Sequence, residues 1–208
     1  MNQQNKIHPV KSCEAGSPMA KFNRVKKPYL LYVGNAYPHK NLERLLQAFR
    51  FVLKENPNLS LVLVGRIDYF YNRLQEKVRE LDLDNKIIFT DRVSDKILDD
   101  LYKNALVYIF PSLSEGFGLP GLEAMKQGLP VVCSNQGPLP EIYGRAAVYF
   151  NGEDIREIAQ TILQVISNNS LRENMRKHGY LQVKKYSWQR CAQQTLDVYG
   201  EILKKEKI

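Results

Sequence analysis

The stretch "ALVYIFPSLSEGFGLPGLEAM", residues 105–125, decides the fold. Its first six residues are an apolar run without polar alternation, the pattern of a strand covered on both faces. A loop carrying Gly116 and Gly118 follows, and then Pro120 opens a segment with helical spacing. Strand, glycine turn and helix together are one unit of an α/β protein.

The same alternation recurs on either side. "YLLYVG" (29–34), "LSLVLVG" (59–65), "KIIFT" (86–90), "PVVCS" (130–134) and "AVYF" (147–150) read as strands. Helices are expected over 69–82, 95–104, 120–127 and near 138–142, with three helical pieces between 154 and 205. Asn41 stands where a side-chain cap would begin the helix carrying Leu42, Leu45, Leu46, Phe49 and Leu53 on one face. The fold class is therefore α/β: a single Rossmann-like, doubly wound parallel sheet of about six strands.

Ligands of such sheets bind beyond the carboxyl ends of the strands. The informative segments are "GNAYPHK" (34–40), "GRID" (65–68), "TDRVS" (90–94), "PSLSEGFG" (111–118) and "SNQGPLP" (134–140), expected to converge on one edge. Within the opening stretch, Gly116 and Gly118 permit close approach of backbone to a ligand. Pro120 suits the first helical position, which puts Leu119 at the N-cap, where it offers no side-chain acceptor. Helix-start N–H groups left free in this way are a site for an anion, phosphate above all.

Glu115 and Glu123 lie eight residues apart around that turn. In the positive field of a helix start they suit hydrogen bonding to sugar hydroxyls better than proton donation. An isolated pair is more readily explained by Glu123 complementing the dipole and Glu115 facing water. Lys40 and Arg66 add cations on neighbouring loops, as a diphosphate requires. Each alone would read as a surface charge, but at adjacent strand ends they favour a phosphate site. His39 is open between a ligand contact and a loop histidine bonded to backbone.

Bulk properties bound the reading. The 208 residues make one large domain or a domain with appendages. Three cysteines (Cys13, Cys133, Cys191) form no C-x-x-C pair, which disfavours a disulfide framework or a zinc site and suits a reducing cytosol. The net charge of +8 favours anionic partners, though a solvated basic surface accounts for much of it. No nucleic-acid-binding motif accompanies that charge, so no nucleic-acid partner is expected. No run approaches the roughly 18 apolar residues of a membrane span, and residues 1–27 lack a secretory h-region.

With these residues assembled, the chain is similar to the C-terminal, donor-binding domain of the family-four retaining glycosyltransferases, of GT-B fold. "EGFGLPGLEAM" resembles their E-x(7)-E motif. "PYLLYVGNAYPHKNLERLLQAF", "LVLVG", "DRVSDKILDDLYKNALVYIFPSLSEGFGLPGLEAMKQGLPVVCSN", "LPEIYGRAAVYF" and "YSWQRCAQQTLDVYGEIL" extend the likeness over roughly residues 22–205.

The resemblance implies roles. Glu115 would contact the donor sugar, and Glu123 the ribose hydroxyls. Gly116 and the backbone of Phe117, Gly118 and Leu119 would cradle the diphosphate. Gly34 and Asn35 would line the site beside Lys40, which neutralises the departing diphosphate with help from Arg66. Val93 and its neighbours would hold the base. Many members carry arginine directly after the first-strand glycine; Asn35 stands there instead, and no charge-stabilising role is assigned to it.

The implied reaction is transfer of a sugar from a GDP- or UDP-sugar to an acceptor hydroxyl, with retention. No cofactor and no metal are expected, and the resemblance points weakly to mannosyl-type enzymes of bacterial surface polysaccharide. It further implies division into residues 1–21 (linker and remnant of a preceding domain, "NKIHPVKSCE" resembling its last strand), 22–186 (nucleotide-sugar domain) and 187–208 (crossover helix). The acceptor-binding domain would be missing, leaving this polypeptide inactive alone. Val183, Trp188, Cys191, Leu196, Val198, Tyr199 and Ile202 are then candidates for an exposed apolar face or for folding back. A cytoplasmic location is expected, with peripheral contact to an anionic membrane carrying a lipid-linked acceptor. The competing readings are a non-catalytic binding subunit that pairs with a separate acceptor-domain chain, and a sugar-nucleotide epimerase of GT-B fold.

Overall fold

A computed structural model describes residue 25 and residues 27–205, with the backbone alone at positions 204 and 205. The reading of residues 1–21, including the strand remnant and Cys13, lies outside the described residues.

Six strands form one parallel sheet: β1 (Tyr29–Val33), β2 (Ser60–Val64), β3 (Ile87–Asp91), β4 (Val107–Phe110), β5 (Val131–Ser134) and β6 (Ala147–Phe150). Their order is β3-β2-β1-β4-β5-β6. The central strands are apolar on both faces because helices cover both: Leu30, Leu31, Tyr32, Leu61, Val62, Leu63, Val107, Tyr108 and Ile109 are all buried.

The helices are α1 (Leu42–Glu55), α2 (Tyr69–Glu80), α3 (Asp95–Asn104), α4 (Leu119–Lys126), α5 (Leu139–Tyr143), α6 (Ile155–Ser167), α7 (Asn169–Val183) and α8 (Trp188–Lys205). On α1 the residues Leu42, Leu45, Leu46, Phe49 and Val52 recur at helical spacing and are buried, part of that face meeting α6. Asp68, Asp154 and Asn168 cap α2, α6 and α7 by accepting backbone N–H bonds. Caps of this kind are worth about 1 kcal/mol each.

Two helix starts differ from expectation. Asn41 occupies the N-cap of α1, but in the left-handed region (φ 60°) and with no side-chain cap bond. Its amide is engaged elsewhere, as described below. At α4 the N-cap is Gly118, not Leu119, because the left-handed turn (φ 93°) falls on the glycine; Pro120 is then the second helical residue.

The terminal region divides. Val183 packs against the core, whereas every residue from Trp188 to Tyr199 is exposed, Trp188 to 76%. No helix among the described residues is long and apolar enough to cross a membrane.

The strand order fixes where a ligand fits. After β1 the chain moves outward to β2 and β3, then returns to place β4 on the other side of β1. The loops leaving β1 and β4 therefore diverge, and a crevice opens between them.

Candidate functional site

Lys40 and Glu115 flank that crevice and meet in it. The loop after β1 closes with a 3₁₀ turn, Pro38–Lys40, in which the Lys40 N–H bonds the Tyr37 carbonyl at 2.8 Å. The Lys40 ammonium donates to Glu115 Oε1 at 2.6 Å, the side chains being 13% and 11% exposed. The same ammonium stands 5.8 Å from the centroid of the Phe110 ring, the last residue of β4.

Three further bonds tie the loops together. The Leu113 N–H donates to the His39 carbonyl at 2.8 Å. Asn41, only 5% exposed, donates from Nδ2 to Pro111 O (3.1 Å) and Gly152 O (2.7 Å). Its Oδ1 accepts from Arg44 at 3.1 Å. One amide thus joins the chain after β1, β4 and β6, which is why it is not free to cap its own helix. His39 is exposed, and its contribution to the site is its carbonyl.

Buried tyrosines support the loop backbones from beneath. Tyr32 donates to Asn35 O (2.7 Å), Tyr71 to Gly34 O (2.9 Å) and Tyr143 to Gly118 O (2.5 Å). Burial pushes all three hydroxyls well above the usual tyrosine range, reinforced by acidic neighbours such as Glu115 near Tyr32 and Tyr143. They stay protonated, as donors must.

The glycines divide by what surrounds them. A Cβ on Gly65 would overlap the Gly34 carbonyl oxygen, so the loops after β1 and β2 touch backbone to backbone. A Cβ on Gly118 or Gly121 would run into Tyr143. At Gly116, in contrast, it would meet nothing within 4 Å. Gly116 alone of these faces open space, as close approach by a ligand requires.

The helix start at α4 carries no side-chain cap bond. Leu119 and Phe117 are exposed there, and Phe117 meets Tyr186 edge-on at 5.4 Å between centroids. Glu123, exposed one turn along, accepts from Tyr102 at 3.3 Å; burial first and Glu123 second hold that hydroxyl protonated. Val93 packs half-buried just before α3. Asn35 is a turn residue whose Oδ1 accepts from the Tyr37 N–H at 3.4 Å.

Arg66 is not drawn into this network: it is exposed and makes no ion pair among the described residues. A recess of about 400 Å³ beside the β1 loop is bounded by that loop, α1 and α2, and includes neither Glu115 nor Glu123. Among the described residues no cluster of three or more His, Cys, Asp or Glu side chains is placed to hold a metal.

Residues 18–182 match the family described as "Glycosyl transferases group 1". The chain belongs to that family. Among similar proteins, the O-antigen chain mannosyltransferase B of Escherichia coli is 36% identical over 182 residues, 87% of this chain and 48% of the relative. The structure superposes on sucrose-phosphate synthase from Thermosynechococcus elongatus with a TM-score of 0.78 at 26% identity, covering 90% of this chain and 49% of that one. Against the C-terminal domain of a group 1 glycosyltransferase (LpcC) from Francisella tularensis the TM-score is 0.68 at 26% identity, covering 82% of this chain and 93% of that domain. This group 1 domain is thus built like the C-terminal half of a GT-B enzyme, and it spans about half the length, or less, of the curated relatives it matches.

The tyrosine supports and the Asn41 tie are absent from the sequence reading. Twelve tyrosines in 208 residues were the available signal, since a buried phenol must find a hydrogen-bond partner.

Proposed function

We propose that this domain binds a nucleotide-diphosphate sugar and, together with an acceptor-binding domain or partner chain, transfers the sugar to an acceptor hydroxyl with retention. The carrying observation is the Lys40–Glu115 pair in the β1/β4 crevice, beside a helix start that carries no side-chain cap bond. Family membership and the mannosyltransferases among similar proteins support a hexose donor, GDP- or UDP-linked, and a role in surface-polysaccharide synthesis.

In this reading the diphosphate lies against Gly116, Phe117, Gly118 and Leu119, with Gly34 and Asn35 opposite. Glu115 accepts from sugar hydroxyls, Glu123 from the ribose, and Val93 with its neighbours holds the base. As the anomeric C–O bond breaks, its electron pair goes to the leaving phosphate oxygen, while the acceptor oxygen bonds the anomeric carbon and gives its proton to that phosphate. Lys40, Arg66 and the positive end of α4 stabilise that charge, the preorganised electrostatic contribution that usually dominates. No metal is needed where cations and a helix start already serve the diphosphate.

A cleft normally encloses most of its ligand, and the loops after β1 and β4 supply one wall of it. By itself the chain is therefore expected to bind donor weakly and to turn over nothing. The test is a thermal-shift panel of GDP, UDP, ADP and their sugars on the wild type and on Glu123→Ala. We expect one base to be preferred and affinity to fall about tenfold in the variant, as for loss of a hydrogen-bonded charge. Equal shifts for all ligands, or an unchanged variant, would overturn the assignment.

A further inference from the structure

We infer that the Lys40–Glu115 ion pair must be exchanged for contacts with the donor, and that this exchange makes the site favour an intact nucleotide-sugar over the bare nucleoside diphosphate. The inference rests on the donor-site reading above for the placing of diphosphate and sugar.

Both charges are largely removed from water and neutralise one another at 2.6 Å. An ion so placed is stabilised by its partner, and taking one partner away leaves the other desolvated and uncompensated. The pair is held from both sides: Lys40 by its 3₁₀ turn and the Phe110 ring, Glu115 by the loop tied through Leu113 and Asn41. Neither side chain reaches a second partner of opposite charge among the described residues.

A diphosphate entering the crevice has two ways to use Lys40. It draws the ammonium off Glu115, leaving a carboxylate with no counter-charge. Or it shares the ammonium, leaving one cation between two anions in a poorly hydrated site, where like charges repel strongly. In both cases Glu115 opposes the phosphate.

The sugar of an intact donor reverses this. Its hydroxyls are O–H donors that replace the ammonium at Glu115 while Lys40 turns to the phosphate. Each member of the pair then leaves with a new partner. A sugar without a hydroxyl facing Glu115 would leave that carboxylate unpaired, the situation in which sites discriminate most sharply. Once the sugar has been transferred, Glu115 again competes for Lys40 and weakens the hold on the product diphosphate.

The experiment measures dissociation constants by calorimetry for GDP with GDP-mannose and for UDP with UDP-glucose. The proteins are wild type, Glu115→Gln, and Lys40→Gln combined with Glu115→Gln. In Glu115→Gln the bare diphosphate should bind about tenfold tighter, because Lys40 is released, while the preference for the sugar-bearing ligand falls by at least that factor. The double variant should lose the gain. Should Glu115→Gln fold poorly, Glu115→Ala, which admits water to Lys40, carries the same expectation. Weakened or unchanged diphosphate binding in a folded single variant overturns the exchange alone. A wild type that binds neither ligand overturns the donor-site reading, and the exchange with it.

Discussion

At Gly118 three demands meet in one residue. The backbone is left-handed, the carbonyl accepts from Tyr143, and the space a Cβ would occupy is filled by that tyrosine and by Leu139. Gly118→Ala is therefore expected to cost about 1–3 kcal/mol from the backbone conformation alone, before any clash is counted. Denaturant unfolding checks this: a change below about 0.5 kcal/mol would contradict the geometry. Only part of this was legible beforehand. The sequence reading gave Gly116 and Gly118 the same task of admitting a ligand. Gly116 does face open space, while Gly118 is needed by its own protein, and nothing local in "EGFGLPG" points to a tyrosine 25 residues further on.

Among elements, strand-end loops joined by a buried amide explain how a flexible-looking edge holds a defined ion pair. Asn41→Ala removes both Nδ2 bonds and leaves the Pro111 and Gly152 carbonyls without that donor. We expect a loss of about 2–4 kcal/mol in stability by denaturant melt, since a buried polar group left unsatisfied costs about 1–3 kcal/mol. Asn41→Asp should be no better, because a carboxylate cannot donate to those carbonyls. A variant as stable as wild type would show that the loops are held by other means. Strands, helices and the convergence of five loops were legible because apolar runs and helical spacing report burial directly. Asn41 was read as a cap because its local position allows no other inference. Its actual partners lie 70 and 111 residues away, and contacts at that separation leave no periodic trace.

For the molecule as a whole, the buried tyrosines set a limit on the alkaline side. Tyr32, Tyr71, Tyr108 and Tyr143 are all pushed well above their ordinary value by burial. A folded pKa above the unfolded one means stability that is whole below about pH 10 and is lost as pH rises past it, because only the unfolded chain then gives up these protons. Tyrosinate absorbance from the buried set should therefore rise together with the loss of far-UV circular dichroism above about pH 10. Full tyrosine ionisation in a still-folded chain would refute it. The terminal helix α8 stands outside this linkage. Eighteen residues at about 1.5 Å each make a rod roughly 27 Å long, with its side chains in water for most of that length. Helices of this size are marginal when nothing packs on them. Its amides should exchange hydrogen on the timescale of local fraying, while those of β4 wait for global opening. One polypeptide thus keeps two clocks, and a ligand seated at the β1/β4 crevice would slow only the second.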